Sequence, residues 1–359
     1  MLPTDFVALG RTGPLGTRLA AIAVLTALGM MALPAPAGAA ETGAQEVADQ
    51  NSDAIDAQND ALLAMPGQQT PVPQDSLYAT APGAEQRAAP TPFTLNLLGP
   101  LQYNSNATAS NRDGIAALEG NPDVRLTYAT QLPGSNLRFT AQLRGDGEYF
   151  GPLPRNQNIN FLRLNFRTQY VAPDNDQAYS PYIAVAPRWT YEPLYATNIA
   201  NRQDINLGVQ KRFNFDGTFT RVPAAARTGS DTVWSFGLNV FGQERLNDPS
   251  PGSKALIGVL SASYVISSQW SAALAVDLTR RWFDGINGVS RNDFVVEPIA
   301  TVEYSLPSSW FGGNSSLFGN PAIDFQASGE QQYSNITRRE FTAFYIGAAF
   351  KAGFRFGLW

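Results

Sequence analysis

Residues 344–359, FYIGAAFKAGFRFGLW, alternate without a break. Phe344, Ile346, Ala348, Phe350, Ala352, Phe354, Phe356 and Leu358 are all apolar, while Tyr345, Gly347, Ala349, Lys351, Gly353, Arg355 and Gly357 are small or polar. A β-strand sends successive side chains to opposite faces, so the segment has one greasy face and one small, cationic face. A helix would be ringed by the same residues. The alternation runs well beyond the usual strand of about five or six residues. A tilted membrane-crossing strand of about 9–11 residues with its rims has that length. A soluble edge strand this apolar would aggregate.

The pattern repeats upstream. Twelve candidate strands fall at about 93–103, 122–132, 136–146, 159–171, 181–191, 203–213, 232–243, 255–267, 270–282, 293–305, 321–332 and 340–358. In the third, Leu137, Phe139, Ala141 and Leu143 oppose Arg138, Thr140, Gln142 and Arg144. In the tenth, Phe294, Val296, Pro298, Ala300, Val302 and Tyr304 oppose Val295, Glu297, Ile299, Thr301 and Glu303. Aromatic residues such as Trp189, Trp270, Trp282 and Tyr304 fall near strand ends, where an interfacial girdle sits. The fold class expected is all-β: an antiparallel transmembrane β-barrel of about twelve strands, within a range of ten to fourteen. Residues 104–121 read as a long loop, 133–136 and 267–269 as tight turns, and 214–231 and 306–320 as longer connections.

Upstream of the strands the text changes. Arg11 and Arg18 precede an apolar run at 19–33, and Ala37-Gly38-Ala39 supplies small residues for cleavage. Residues 1–40 are therefore expected to be a Sec-type signal peptide, cut near Ala39 or Ala40. Residues 41–92 read as an acidic, disordered or partly helical periplasmic arm followed by a Pro-rich linker, and 93–359 as the barrel.

A signal peptide, a long series of alternating strands and an aromatic at Trp359 together make the chain resemble the Gram-negative outer-membrane β-barrel proteins, porin-like members included. In that family the closing strand usually ends on Phe or Trp and serves as an assembly signal. Trp359 matches, although it shares its face with Gly357, Arg355 and Gly353 rather than with the apolar residues. The resemblance implies a place in the outer membrane, contact with its lipid, and insertion by the barrel-assembly machinery.

The composition excludes much chemistry. There is no cysteine, hence no disulfide or thiolate metal site, and no histidine, hence no Ser-His or Asp-His device. Enzymes of the outer-membrane barrel class generally depend on a catalytic histidine, so the chain is not expected to be an enzyme. No cofactor is expected, and the net charge of −5 gives nucleic acid no purchase.

Charge is costly against lipid, so charged residues should follow the inner phase. Arg125, Arg138, Arg144, Arg163, Arg167, Arg188, Arg212, Lys351 and Arg355 form an expected basic arc on the lumen, and Asp277, Glu297, Glu303, Asp324 and Glu330 an acidic one, with Arg281 an exception among them. Opposed arcs orient polar solutes by a transverse field, as in trimeric general porins. The function expected is a passive channel for small polar or anionic solutes, or an export pore with a periplasmic partner bound through 41–92. The alternative is a structural or anchoring barrel whose inner charges pair and conduct nothing.

Overall fold

A computed structural model describes residues 93–109, 114–151, 158–171, 179–221, 233–248, 252–286, 289–307, 310 and 321–356. The expected signal peptide and the arm at 41–92 lie outside the described residues. The strands are β1 (Phe93–Asn104), β2 (Ala117–Gly120), β3 (Asp123–Gln131), β4 (Leu137–Phe150), β5 (Ile159–Tyr170), β6 (Ser180–Tyr191), β7 (Asn198–Phe215), β8 (Trp234–Asp248), β9 (Ser253–Val265), β10 (Trp270–Ile286), β11 (Val289–Ser305), β12 (Ala322–Ser334) and β13 (Phe341–Phe356).

Each strand pairs antiparallel with its chain neighbours, and β13 returns to pair with β1 from Phe93↔Phe356 to Asn104↔Tyr345. β2 and β3 both lie between β1 and β4, so they are two pieces of one wall position, interrupted at Asn121-Pro122. Pro122 has no N–H to offer the ladder, which is why the pairing pauses there. The wall thus has twelve positions and closes on itself. Closure pairs the edge that an open sheet would leave exposed in lipid.

The strand set follows the alternation closely. The one revision is inside 104–121, read as loop: Ala117–Gly120 of that stretch forms β2. β7, β8 and β10 also run several residues further than their alternation suggested.

Alternation also fixes which side faces out. Leu207, Leu260, Leu274, Phe325, Ile346 and Phe350 are exposed on the outer face. The end of the barrel holding Phe93 and Phe356 is here the near end. There an outer aromatic cluster gathers Phe215, Phe219, Trp234, Phe236 and Tyr264, with Trp234 and Tyr264 at 4.3 Å between centroids. Phe219 reaches it from a turn with φ of 63°, a left-handed conformation rare for a bulky residue. Asp216 holds that turn. It accepts hydrogen bonds from the Thr218 hydroxyl, the Thr220 amide and the Thr218 amide, each at 2.8 Å, and these keep its carboxyl below the ordinary aspartate range. Trp282 and Tyr333 mark the outer face towards the far end.

Candidate functional site: the charged inner wall

The inner face carries Arg125, Arg144, Arg163, Arg188 and Arg202 in one register row. Arg125 lies opposite Arg144, Arg144 opposite Arg163, Arg163 opposite Arg188, and Arg188 opposite Arg202, across β3 to β7. Like charges directly opposite one another repel. The wall offsets this with carboxylates two residues along the same strands. Asp123 meets Arg125 at 2.6 Å and Arg144 at 2.8 Å, Asp146 meets Arg163 at 2.7 Å, and Asp204 meets Arg202 at 2.5 Å and Arg245 at 3.1 Å. Stacking adds support, since Phe161 lies beneath both the Arg163 and Arg188 guanidinium groups, at 4.7 and 4.8 Å.

The far side of the wall carries a second row of opposite sign. Asp277 on β10 lies opposite Glu297 on β11. The β11–β12 register, in which Val296 meets Gln331 and Ile299 meets Ser328, brings Glu297 opposite Glu330. Thr279 donates a hydrogen bond to Asp277, and the Tyr345 hydroxyl donates one to Glu330 at 3.1 Å. In a ring of twelve positions β4, β5 and β6 stand six places from β10, β11 and β12. Arg144, Arg163 and Arg188 lie seven, seven and eight residues in from the near ends of their strands. Asp277, Glu297 and Glu330 lie seven, eight and eight residues in from theirs. Three arginines therefore face three carboxylates across the lumen at mid-height.

Nearer the near end, Lys351 on β13 reaches past β12 to pair with Glu303 on β11, and lies 3.4 Å from Asp324 on β12. Glu303 and Asp324 are directly opposite one another and fully buried. Arg138, Arg167 and Arg212 occupy inner positions on β4, β5 and β7. Arg167 donates to Gln210 at 2.7 Å and lies 3.8 Å over the Tyr182 ring. Tyr182 in turn crosses bare Gly208 on β7 to donate to Asn239 on β8 at 3.1 Å, packing beside Phe241 on the way. Arg355 pairs with Thr94 through its backbone, and its side chain lies outside those described.

The two arcs were drawn in the sequence by strand, and the register shows what that drawing left out. Asp123, Asp146 and Asp204 sit within the basic arc and neutralise part of it. Arg202 and Arg245 belong to the same wall. Between the arcs, Phe241, Ala255, Ile257 and Val259 make an apolar inner panel on β8 and β9. Counting carboxylates two residues from each inner arginine could have found Asp123, Asp146 and Asp204. Nothing in the local pattern announces the panel.

A closed antiparallel meander with a greasy outer belt, aromatic rims and a charged interior is a transmembrane β-barrel of the outer-membrane class. No family model matches the chain, and no curated protein matches it. Among solved structures it is similar to an outer-membrane channel from Pseudomonas putida F1, at 12% identity over 74% of this chain and 97% of that one, with a TM-score of 0.44. It is also similar to the anion-selective porin from Comamonas acidovorans, at 10% identity over 73% and 99%, TM-score 0.33. The translocator domain of the autotransporter NalP from Neisseria meningitidis matches at 10% identity over 86% and 96%, TM-score 0.38. At such identities the likeness is one of barrel architecture.

Proposed function

We propose that the chain is a narrow passive channel of the outer membrane for small polar and anionic solutes. The observation that carries this reading is the mid-height opposition of Arg144, Arg163 and Arg188 to Asp277, Glu297 and Glu330. A field directed across a low-dielectric lumen orients dipolar solutes and concentrates counter-ions at each wall. Asp123, Asp146 and Asp204 stand among the five arginines, with the buried Glu148 close to Arg163 and Arg188, so the preference for anions on that side is a modest one. The reading includes no catalysis; with no histidine in the chain, no Ser-His or Asp-His device can be built. An export pore working with a periplasmic partner through 41–92 is a variant of the same proposal.

A second reading, a barrel that conducts nothing, has support of its own. Arg125, Arg144, Arg188, Glu297 and Glu303 are each 6% exposed or less. Such groups touch little water and serve well as internal ties.

Current through single refolded barrels, with reversal potentials across a salt gradient, separates the two. The parent is expected to conduct with a modest anion preference that fades as salt rises, since the Debye length is about 10 Å at 0.1 M and about 3 Å at 1 M. The double change Arg163→Glu and Arg188→Glu is expected to move the reversal potential towards cations. Identical potentials for parent and variant would take the arginine row off the conducting path. Absence of current from a folded barrel would establish the second reading instead.

A further inference from the structure

We propose that the far rim binds a phosphate group carried on an outer-leaflet lipid, through Arg280 with Lys254 beside it. The inference rests on the outer-membrane reading, with the arm at 41–92 taken as periplasmic so that the end holding Phe93 faces the periplasm and the far rim meets the outer leaflet, but not on conduction. Among the strand residues whose side chains are described, the charged ones in the outward phase are Lys211, Glu244, Asp248, Lys254 and Arg280. Lys211, near the near end, is spoken for by the Tyr179 and Phe213 rings at 4.3 and 5.1 Å. The other four lie towards the far end.

Arg280 is exposed on the outer face, opposite Leu256 on one side and Phe294 on the other. A cation in that phase is costly in the middle of a bilayer and cheap at its edge. Its depth can be counted. Arg280 lies ten residues up β10 from Trp270, which packs on Tyr304 in the near girdle. Ten residues at about 3.4 Å each, tilted by about 40°, climb about 26 Å, close to the height of the apolar band of about 25 Å. The guanidinium therefore stands at the headgroup level, two residues from Trp282 and in the register row that holds Phe294 and Tyr333.

The guanidinium is held in place by a neutral group. It donates to the Asn292 side chain at 2.5 Å, and Asn292 is itself fixed, its amide donating to the Asn335 side chain at 2.9 Å and its carbonyl accepting from the Asn335 amide at 3.2 Å. The remaining guanidinium donors form a fork suited to a phosphate. Lys254 lies opposite Trp282, next to Arg280 on the same face. Its ammonium is 3.8 Å from the Glu244 carboxylate, a loose and exposed pair that a phosphate can displace. Leu278 and Leu274 continue the outer face below Arg280, so acyl chains attached to the phosphate have a surface to lie on. A free phosphate ion would gain nothing from that surface.

The test uses the full refolded barrel in zwitterionic micelles, its melting temperature read with added diphosphoryl lipid A, with dephosphorylated lipid A, and with inorganic phosphate. Diphosphoryl lipid A is expected to raise the melting temperature by several degrees, and the other two additions to leave it near the starting value. The double change Arg280→Gln and Lys254→Gln should abolish most of the rise, while Lys211→Gln should keep it. Arg280→Lys, which retains charge but loses the fork, gives an intermediate rise and covers the case in which the double variant folds poorly. Equal rises with both lipids, an equal rise with inorganic phosphate, or a rise retained by the double variant would each overturn the proposal. A barrel that fails to conduct yet shows the lipid-dependent rise would remove the channel reading alone.

Discussion

The basic wall, β3 to β7, and the acidic wall, β10 to β13, solve one problem in two ways. On the basic wall, five arginines stand in register among Asp123, Asp146 and Asp204, and each of these carboxylates is shared between two arginines. On the acidic wall, Glu303 and Asp324 converge on Lys351. The first arrangement tolerates the loss of a member, and the second does not. This barrel interior therefore keeps like charges face to face by sharing partners along one wall, and at Glu303 and Asp324 by placing one buried cation between two carboxylates.

The largest expected effect breaks the concentrated arrangement. Lys351→Met leaves two buried carboxylates without the cation they share and should cost about 3–5 kcal/mol. The shift of the urea unfolding midpoint in bilayers measures this, and Lys351→Arg should recover much of it. A loss below 1 kcal/mol would show that Lys351 is not what holds Glu303 and Asp324 together. An intermediate effect is expected at the floor beneath the Tyr182 bridge. A β-carbon added at Gly208 would come within 2.5 Å of Phe241 Cβ and 2.7 Å of Tyr182 Cζ. Gly208→Ala should therefore cost about 1–3 kcal/mol, typical of overpacking, in the same measurement. A neutral result would mean that Tyr182 need not cross β7. The smallest effect belongs to the distributed wall. Arg188→Met removes one of two like charges facing Arg163 and should change stability by less than about 1 kcal/mol in either direction. A loss as large as that at Lys351 would erase the distinction between the walls.

Facing was legible in the sequence wherever one face is uniformly apolar. Phe344, Ile346 and Phe350 on β13 and Leu143 on β4 show it, because an apolar side must meet lipid. Register was not legible. Which arginine stands opposite which depends on strand offsets set by turn lengths, and a one-residue slip would invert every side chain. The row from Arg125 to Arg202 is a product of those offsets. Phe241 was missed for another reason: alternation puts it in phase with Ser235, Gly237 and Asn239, but a lone aromatic in that phase gives no sign that Ile257 lies opposite it. The sequence showed long connections at 214–231 and 306–320. Both lie at the near end, between β7 and β8 and between β11 and β12, while the far-end connection between β10 and β11 spans two residues.

The closing seam has a consequence in time. Phe93 and Phe356, 263 residues apart, form one end of the β1–β13 pairing, whereas every other pairing joins near neighbours in the chain. Contacts of such long sequence separation form late, because the intervening chain must first be brought into place. β1 is thus the earliest strand to be synthesised and the last to gain its second partner. Until β13 arrives, one side of β1 offers a row of free amides and carbonyls able to pair with any other chain. Nascent copies crowded together would cross-pair at that edge, so how often the barrel succeeds should depend on how long the edge stays shielded rather than on how stable the finished wall is.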